Sequence, residues 1–329
     1  MRIKDLGEYR TIKMLLSLLR KDPKELMGYD DVSLVNINGA YVALKVDSFV
    51  ESVDLLPGMQ PEDIGRKLVT MGVSDFASKG IKPLGMAVSV AIPGAIEWDY
   101  LRRIYVGMDE YAKKYGMYVW GGDLSEGKEL TLVGCFLGYA KDHRVPRRRD
   151  AKPGDLVYAT GSFGLTSVAF RALLRGRRPK DKTLLQKAIS SVFRPMARLK
   201  EGLTLIGRGL VHASIDISDG LAISLHEISE NSKVRIVIDN VPLSEGVKEY
   251  AEGEGVNPID LALYEGGEEY ELLITIPKGK VKEAMKAIRE VGGKLFYLGR
   301  VEVGRGVYLR VGEELKEVER RGWEHYRGW

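Results

Sequence analysis

Acidic residues recur at equivalent places along this chain. Asp30-Asp31, Asp47, Asp75, Asp123 and the pair Asp216/Asp219 each fall at the end of an apolar run or beside a glycine turn. One such aspartate is an ordinary turn residue. Several at strand ends imply carboxylates that converge on one place. Two unit charges 4 Å apart repel by roughly 4 kcal/mol at an effective dielectric near 20, so a converged set needs protons or cations. Oxygen donors without His or Cys suit Mg²⁺ or a similar hard ion. The chemistry indicated is that of phosphate groups.

Two of these runs stand out locally. In Gly121-Gly122-Asp123 the glycines let a bulky group approach the backbone, and the aspartate sits just past a strand end; the ordinary reading is an Asx turn. In Asp216-Ile217-Ser218-Asp219-Gly220 an extended backbone puts Asp216 and Ser218 on one face, and Asp219 is placed to cap the helix that follows. The familiar nucleotide signatures are missing: there is no G-x-x-x-x-G-K-[ST], no G-x-G-x-x-G after a first strand and no protein-kinase set. Gly161-Ser162-Phe163-Gly164 links a strand to a helix and could offer N–H groups to an anion, but alone it reads as a structural turn. His143, His212, His226 and His325 show no zinc-ligand spacing, and no G-x-S-x-G elbow is present. The Arg147-Arg148-Arg149 run reads as a solvated linker, because aromatic interleaving is absent; a single arginine there could still clamp a phosphate. The aromatic C-terminus, GWEHYRGW, reads as a docked tail or as a platform for a flat ring, with Trp323 and Trp329 as the candidates.

The elements that must position these residues alternate between helix and strand. Residues 7–20 predict an amphipathic helix and 41–50 a strand. Pro61 with two following acids opens a helix through about residue 78. Then come a strand at 85–93, a helix over 98–116, a short buried strand at 117–120 that runs into the glycines, and a strand at 131–140. The polar, basic stretch 142–155 marks a domain boundary, giving residues 1–147 and 148–329. In the second half, strands around DLVYATG, ASIDIS, VRIVID, EYELLITIP and LFYLGRVE interleave with helices, and the last two enclose a helix in a β-α-β unit. The class is α/β or α+β.

Composition bounds the function. A chain of 329 residues with 44% hydrophobic and 29% charged content has ample core. Fifty basic against 46 acidic residues leave a net charge of +4, too mild to argue for nucleic acid. Cys135 is the only cysteine, so no intrachain disulfide forms, and its apolar run reads as core. No apolar run approaches the roughly 20 residues of a membrane span, and the charged N-terminus is no signal peptide, so a cytoplasmic location is expected.

Taken in order, the motifs resemble one family nearly end to end. They are Gly7-Glu8, Gly28-x-Asp30-Asp31, Val46-Asp47, Ile64-Gly65-Arg66-Lys67, Val73-Ser74-Asp75, Lys79-Gly80-x-Lys82-Pro83 and Gly121-Gly122-Asp123. The second half adds Arg148-x-x-Ala151-Lys152-Pro153-Gly154-Asp155, Asp216-Ile217-Ser218-Asp219-Gly220, Gly266-Gly267-Glu268 with Tyr270-Glu271-Leu272, and Gly322-Trp323-Glu324-His325. The set resembles the thiamine-monophosphate kinases, within the superfamily of aminoimidazole ribonucleotide synthetase. The resemblance implies a two-domain fold in which the N-terminal sheets of two subunits pair into a dimeric barrel, with ATP and several Mg²⁺ ions in a cleft near the dimer interface. It implies Asp31, Asp47, Asp75, Asp123, Asp216 and Asp219 as metal ligands. Gly122, Asp123, Arg148, Ser218 and Tyr105 would meet ATP, and Asp54, Glu268 and Trp323 the thiamine phosphate. No catalytic residue beyond the metal cluster is expected.

The sequence departs from the family pattern at several positions. Tyr29 stands for a glycine before the aspartate pair, Lys45 and Val46 for small hydroxyl residues, Asp54 for a histidine, Asp150 for a glycine, and Glu269 for an aspartate. Selenophosphate synthetase would bring a reactive Cys or Sec near the N-terminus, and the hydrogenase factor a C-terminal Cys; neither is here. Alternatives that stay open are another ATP-using member of the superfamily with a different acceptor, and a non-catalytic nucleotide-binding regulator.

Overall fold

The computed structural model describes residues 2–140 and 145–326. His143 and Trp329, weighed above, lie outside the described residues. The first half contains α1 (Ile3–Leu6), α2 (Glu8–Leu18), β1 (Ser33–Ile37), β2 (Ala40–Val50), α3 (Glu51–Asp54), α4 (Pro61–Lys79), β3 (Lys82–Ile92), α5 (Trp98–Lys114), β4 (Tyr118–Glu126) and β5 (Thr131–Ala140). The second contains β6 (Asp155–Ala159), α6 (Leu165–Leu174), α7 (Lys182–Phe193), α8 (Leu199–Gly207), β7 (Ala213–Asp216), α9 (Leu221–Ser232), β8 (Arg235–Ile238), α10 (Val247–Gly253), α11 (Pro258–Tyr264), β9 (Leu272–Pro277), α12 (Val281–Glu290), β10 (Phe296–Glu302), β11 (Gly306–Val311) and β12 (Glu314–Glu317).

Each half builds one sheet. The first has the order β1-β2-β5-β3-β4, antiparallel except for the parallel β3–β4 pair. The second has the order β12-β11-β8-β10-β6-β9-β7. In it β9, α12 and β10 form the expected β-α-β unit, with β6 inserted antiparallel between the two strands. Among the described residues no helix is long and apolar enough to cross a membrane.

The central element is α4. Pro61 opens it, the Asp63 carboxylate accepts the Gln60 N–H, and Gly80 closes it in the left-handed region at φ 63°. Glycines draw its neighbours close. A Cβ on Gly65 would lie 2.0 Å from the Ile104 carbonyl oxygen, one on Gly107 2.0 Å from that of Glu62, and one on Gly202 of α8 2.0 Å from that of Ala77. The helix is thus enclosed by the first sheet, α5 and the second half, and 16 of its 19 residues are buried. Its polar residues therefore face protein rather than water.

Three expectations change. The strand at 117–120 does not end at the glycines but continues through them to Glu126, and it is exposed, because it forms the sheet edge. Cys135 is exposed rather than core, because alternation along β5 turns it to the face opposite α4. Asp219 does not cap α9, whose N-cap is Gly220. Within this one chain the first sheet is open and no closed barrel forms among the described residues; the expected barrel is one built between two copies.

Candidate active site

Along β2, Lys45 and Asp47 alternate with the exposed Leu44, Val46 and Ser48, so the charged pair points toward α4. On α4 the positions Lys67, Met71, Ser74, Asp75, Ser78 and Lys79 repeat at helical spacing and form one stripe. Beneath them, β7 ends at Asp216 and the turn Ile217–Gly220 follows. These segments enclose a cleft of about 430 Å³ whose walls include Asp31, Asp47, Asp75, Asp216, Asp219 and Arg148.

Asp31, Asp75 and Asp216, all buried, bring one carboxylate oxygen each within 4.8 Å of one another. Asp31 is held by protein cations. It accepts from Arg148 Nε at 2.8 Å and from Arg148 Nη2, its Oδ2 lies 3.1 Å from Lys79 Nζ, and Ser78 donates to it. Burial opposes its charge, but the Arg148 guanidinium and the Lys79 ammonium hold its carboxyl below the usual range. The other two lack such full compensation. Burial, followed by repulsion from Asp216 and Asp47, lifts Asp75 well above the usual carboxylate range despite Lys45. Asp216 is pushed up to about 7 by burial and by the charge of Asp31, although Ser74 donates to its Oδ2 at 2.8 Å. Burial also raises Asp47 and Asp219. The Oδ2 of Asp47 is buried with no hydrogen-bond partner among the described residues. Clustered carboxylates and an orphaned oxygen, with no nitrogen or sulfur donor among them, fit a hard divalent cation such as Mg²⁺.

Lys45 and Arg148 line the same cleft, and Lys79 lies buried behind it. Lys45 Nζ lies 2.9 Å from Asp75 Oδ2 and 3.4 Å from Asp47 Oδ1, and these carboxylates hold the ammonium pKa above its usual value against burial. Lys79 is fully buried, 2.7 Å from Asp30 Oδ1, and donates to the Ser214 carbonyl. Arg148 also reaches Glu227 at 3.1 Å. At the mouth, Tyr9 of α2 donates to Asp219 Oδ2 at 2.8 Å.

At the other end Ser218, Asp54, Glu268 and Trp323 meet around a side pocket with apolar walls from Leu56, Phe170 and Leu174. The backbone there is unusual. Glu268 and Tyr270 adopt φ of 57° and 50°, a region costly for residues other than glycine. The conformation is fixed by the Glu268 N–H to the Ser218 carbonyl at 2.6 Å and the Tyr270 N–H to that of Ile217 at 2.9 Å. Glu268 Oε1 lies 2.6 Å from buried Lys67, while its Oε2 is buried with no hydrogen-bond partner among the described residues. Asp54 Oδ2 accepts the Val50 N–H at 2.6 Å.

Three residues of the expected site lie elsewhere. Gly122 and Asp123 are on β4, and Tyr105 of α5 lines a separate groove with Trp98, Trp120, Gly121 and Leu124. Asp47 pairs with Gly134, Gly134 with Val88, and Val88 with Gly122. Three strand spacings, roughly 14 Å, therefore separate Asp47 from the Asp123 edge. Gly122 is required where it stands, since a Cβ there would meet the Val88 carbonyl oxygen at 1.6 Å. The structure adds Lys67, Lys79, Ser74, Ser78 and Tyr9 to the residues expected from the sequence. The signal for the first four was a polar stripe at helical spacing.

Residues 29–140 match the family described as AIR synthase related protein, N-terminal domain, and residues 152–312 the one described as AIR synthase related protein, C-terminal domain. The chain is 38% identical over 317 residues to a thiamine-monophosphate kinase of Pyrococcus abyssi (strain GE5 / Orsay), covering 95% of each chain. It is 36% identical over 301 residues to the protein of the same name from Pyrococcus horikoshii, covering 91% of each. A solved structure described as AaThiL complexed with AMPPCP and TMP matches at a TM-score of 0.86 and 31% identity, over 99% of both chains.

Proposed function

The chain belongs to the thiamine-monophosphate kinases of the AIR synthase related family, and from that membership we propose how its aspartate-lined cleft phosphorylates thiamine monophosphate with ATP. The observation that carries the reading is the meeting of Asp31, Asp75 and Asp216 beside Arg148.

The acceptor is itself a phosphate and already anionic, so the transfer needs no general base. The obstacle is repulsion between two phosphate groups. Divalent cations such as Mg²⁺, held by Asp31, Asp47, Asp75, Asp216 and Asp219, would supply the neutralising charge. The chain's own task is to hold those carboxylates at fixed positions: Arg148 and Lys79 fix Asp31, and Ser74 fixes Asp216. Arg148 and Ser218 are the contacts proposed for ATP. Attack is direct and in line, without a phosphoenzyme.

At the substrate end, Glu268, Asp54 and the Trp323 ring beside apolar walls suit a flat cationic heterocycle. Lys67 fixes one oxygen of Glu268 and leaves the other as an acceptor. Asp54, where the family has a histidine, adds a second carboxylate facing that ring.

A second copy of the chain completes the site. Leu44, Val46, Leu84 and Cys135 lie exposed on the open face of the first sheet, and Trp98, Trp120 and Leu124 are exposed near its edge. Such an apolar surface favours burial between copies. Pairing the two sheets into a barrel would present Tyr105, Gly122 and Asp123 of one copy to the cleft of the other. The division between halves falls at 147/148, just before the turn that carries Arg148.

Incubation with ATP, Mg²⁺ and thiamine monophosphate tests the reading. Thiamine diphosphate and ADP in equal amounts are expected, and an ATP chiral at the γ-phosphorus should give inversion. Tight ATP binding without product would point to a nucleotide-binding regulator; retention would point to a covalent intermediate.

A further inference from the structure

One residue of the cleft has no part in the mechanism above. Lys45 shares a face of β2 with Asp47, two positions on, and both point at α4. Its Nζ bridges the strand and the helix, at 3.4 Å from Asp47 Oδ1 and 2.9 Å from Asp75 Oδ2. The ammonium therefore occupies the space between the two carboxylates. A Mg²⁺ ion needs oxygen ligands at about 2.0–2.1 Å in an octahedral shell, and an ammonium already seated between the same oxygens excludes it by volume and by like charge. The neighbouring Asp31 is paired independently, with Lys79 and Arg148. The carboxylate cluster thus comes with cations of its own.

We infer that the Lys45 ammonium is a resident cation of this cluster, standing in for one divalent ion, so that the chain binds one such ion fewer than it would with a small residue at position 45. This rests on the reading of the cluster as a metal and nucleotide site. A lysine cannot leave with product or be removed by a chelator. The Asp47–Asp75 side of the cleft is therefore permanently neutralised, while Asp216 and the free oxygens of the cluster take the exchangeable ions.

The test counts ions directly. Mn²⁺ is titrated, with a non-hydrolysable ATP analogue present, into the wild type, Lys45→Ser and Lys45→Met, and bound metal is read by electron paramagnetic resonance and calorimetry. Lys45→Ser should bind one Mn²⁺ more per chain than the wild type. Lys45→Met fills the same space without charge, so it should bind the wild-type number. It should also melt below the wild type in EDTA, since two buried carboxylates lose their counter-ion. Equal, non-zero counts in the wild type and Lys45→Ser overturn the inference alone. So does a Lys45→Met chain that melts with the wild type in EDTA, a readout that holds even where the serine variant fails to fold. A wild type that takes up no Mn²⁺ with nucleotide overturns the reading of the cluster itself, and the inference with it.

Discussion

Replacing Asp216 by Asn should make the metal-free protein more stable while removing most of its turnover. Asp216 is only 5% exposed, and its carboxyl is pushed from 3.8 up to about 7, first by burial and then by the charge of Asp31. Below about pH 4 the folded and unfolded chains both carry the proton, and the group contributes nothing. Between roughly pH 4 and 7 the unfolded chain releases it while the folded chain retains it, so stability falls as pH rises. Above about pH 7 the folded chain holds a poorly compensated charge. At 1.36 kcal/mol per pKa unit the full penalty is about 4 kcal/mol. Asn is neutral at every pH and keeps an acceptor for Ser74, so the variant escapes this loss. For a chain of 329 residues, an unfolding entropy near 2.1 cal/mol/K per residue turns that into a melting-temperature gain of about 6 °C. The assay is thermal melting of both proteins in EDTA at pH 4.5 and pH 8. The gap should be small at the lower pH and near its full size at the higher. Equal melting temperatures at pH 8, or a gap that does not change with pH, would refute the account of a strained carboxylate cluster.

Asp123→Asn and Asp216→Asn should each be nearly inactive, yet an equimolar mixture allowed to exchange subunits should recover about one quarter of wild-type turnover. Half the dimers are then mixed, and each mixed dimer has one intact site; no recovery would mean that Asp123 does not act across copies. Trp323→Ala should raise KM for thiamine monophosphate more than KM for ATP, and equal effects on the two would defeat the proposed ring contact. Lys67→Met leaves the half-buried Glu268 without its cation, a change that costs at most about 3–5 kcal/mol; urea unfolding should register it, and Lys67→Met with Glu268→Gln should restore a large part. A single-variant loss under about 1 kcal/mol would show that the pair does not hold the loop.

Much of this site was legible because apolar runs and glycines are legible, although only Asp216 stands at a strand end, while Asp47 lies within β2 and Asp75 on α4. Asp31, Asp47, Asp75 and Asp216 were marked by apolar runs or glycines, and the structure brings them into one cleft. Asp123 carried the same local signal, but sequence does not say which edge of a sheet a strand will occupy, and β4 lies three strands from β2. The stripe on α4 was obscured for a different reason. Polar residues at helical spacing ordinarily mark a solvated face; here glycines at 65, 107 and 202 let backbone close in on the helix from two sides, and the polar face is buried behind the cleft, where Ser74 and Ser78 bond Asp216 and Asp31. Cys135 shows the same effect in reverse: an apolar strand reads as core on both faces, whereas one face of this sheet is bare within a single chain. The short strand β1 (SLVNI) was missed because its pattern is too brief to separate from a turn.

The most direct test of the central claim is anomalous diffraction from crystals of the wild-type protein soaked with Mn²⁺ and a non-hydrolysable ATP analogue. Manganese peaks should stand against the carboxylates of Asp31, Asp75 and Asp216, with the triphosphate of the analogue reaching the same ions. Nucleotide bound elsewhere, or metal peaks only on exposed acidic side chains while these three aspartates bind none, would contradict it.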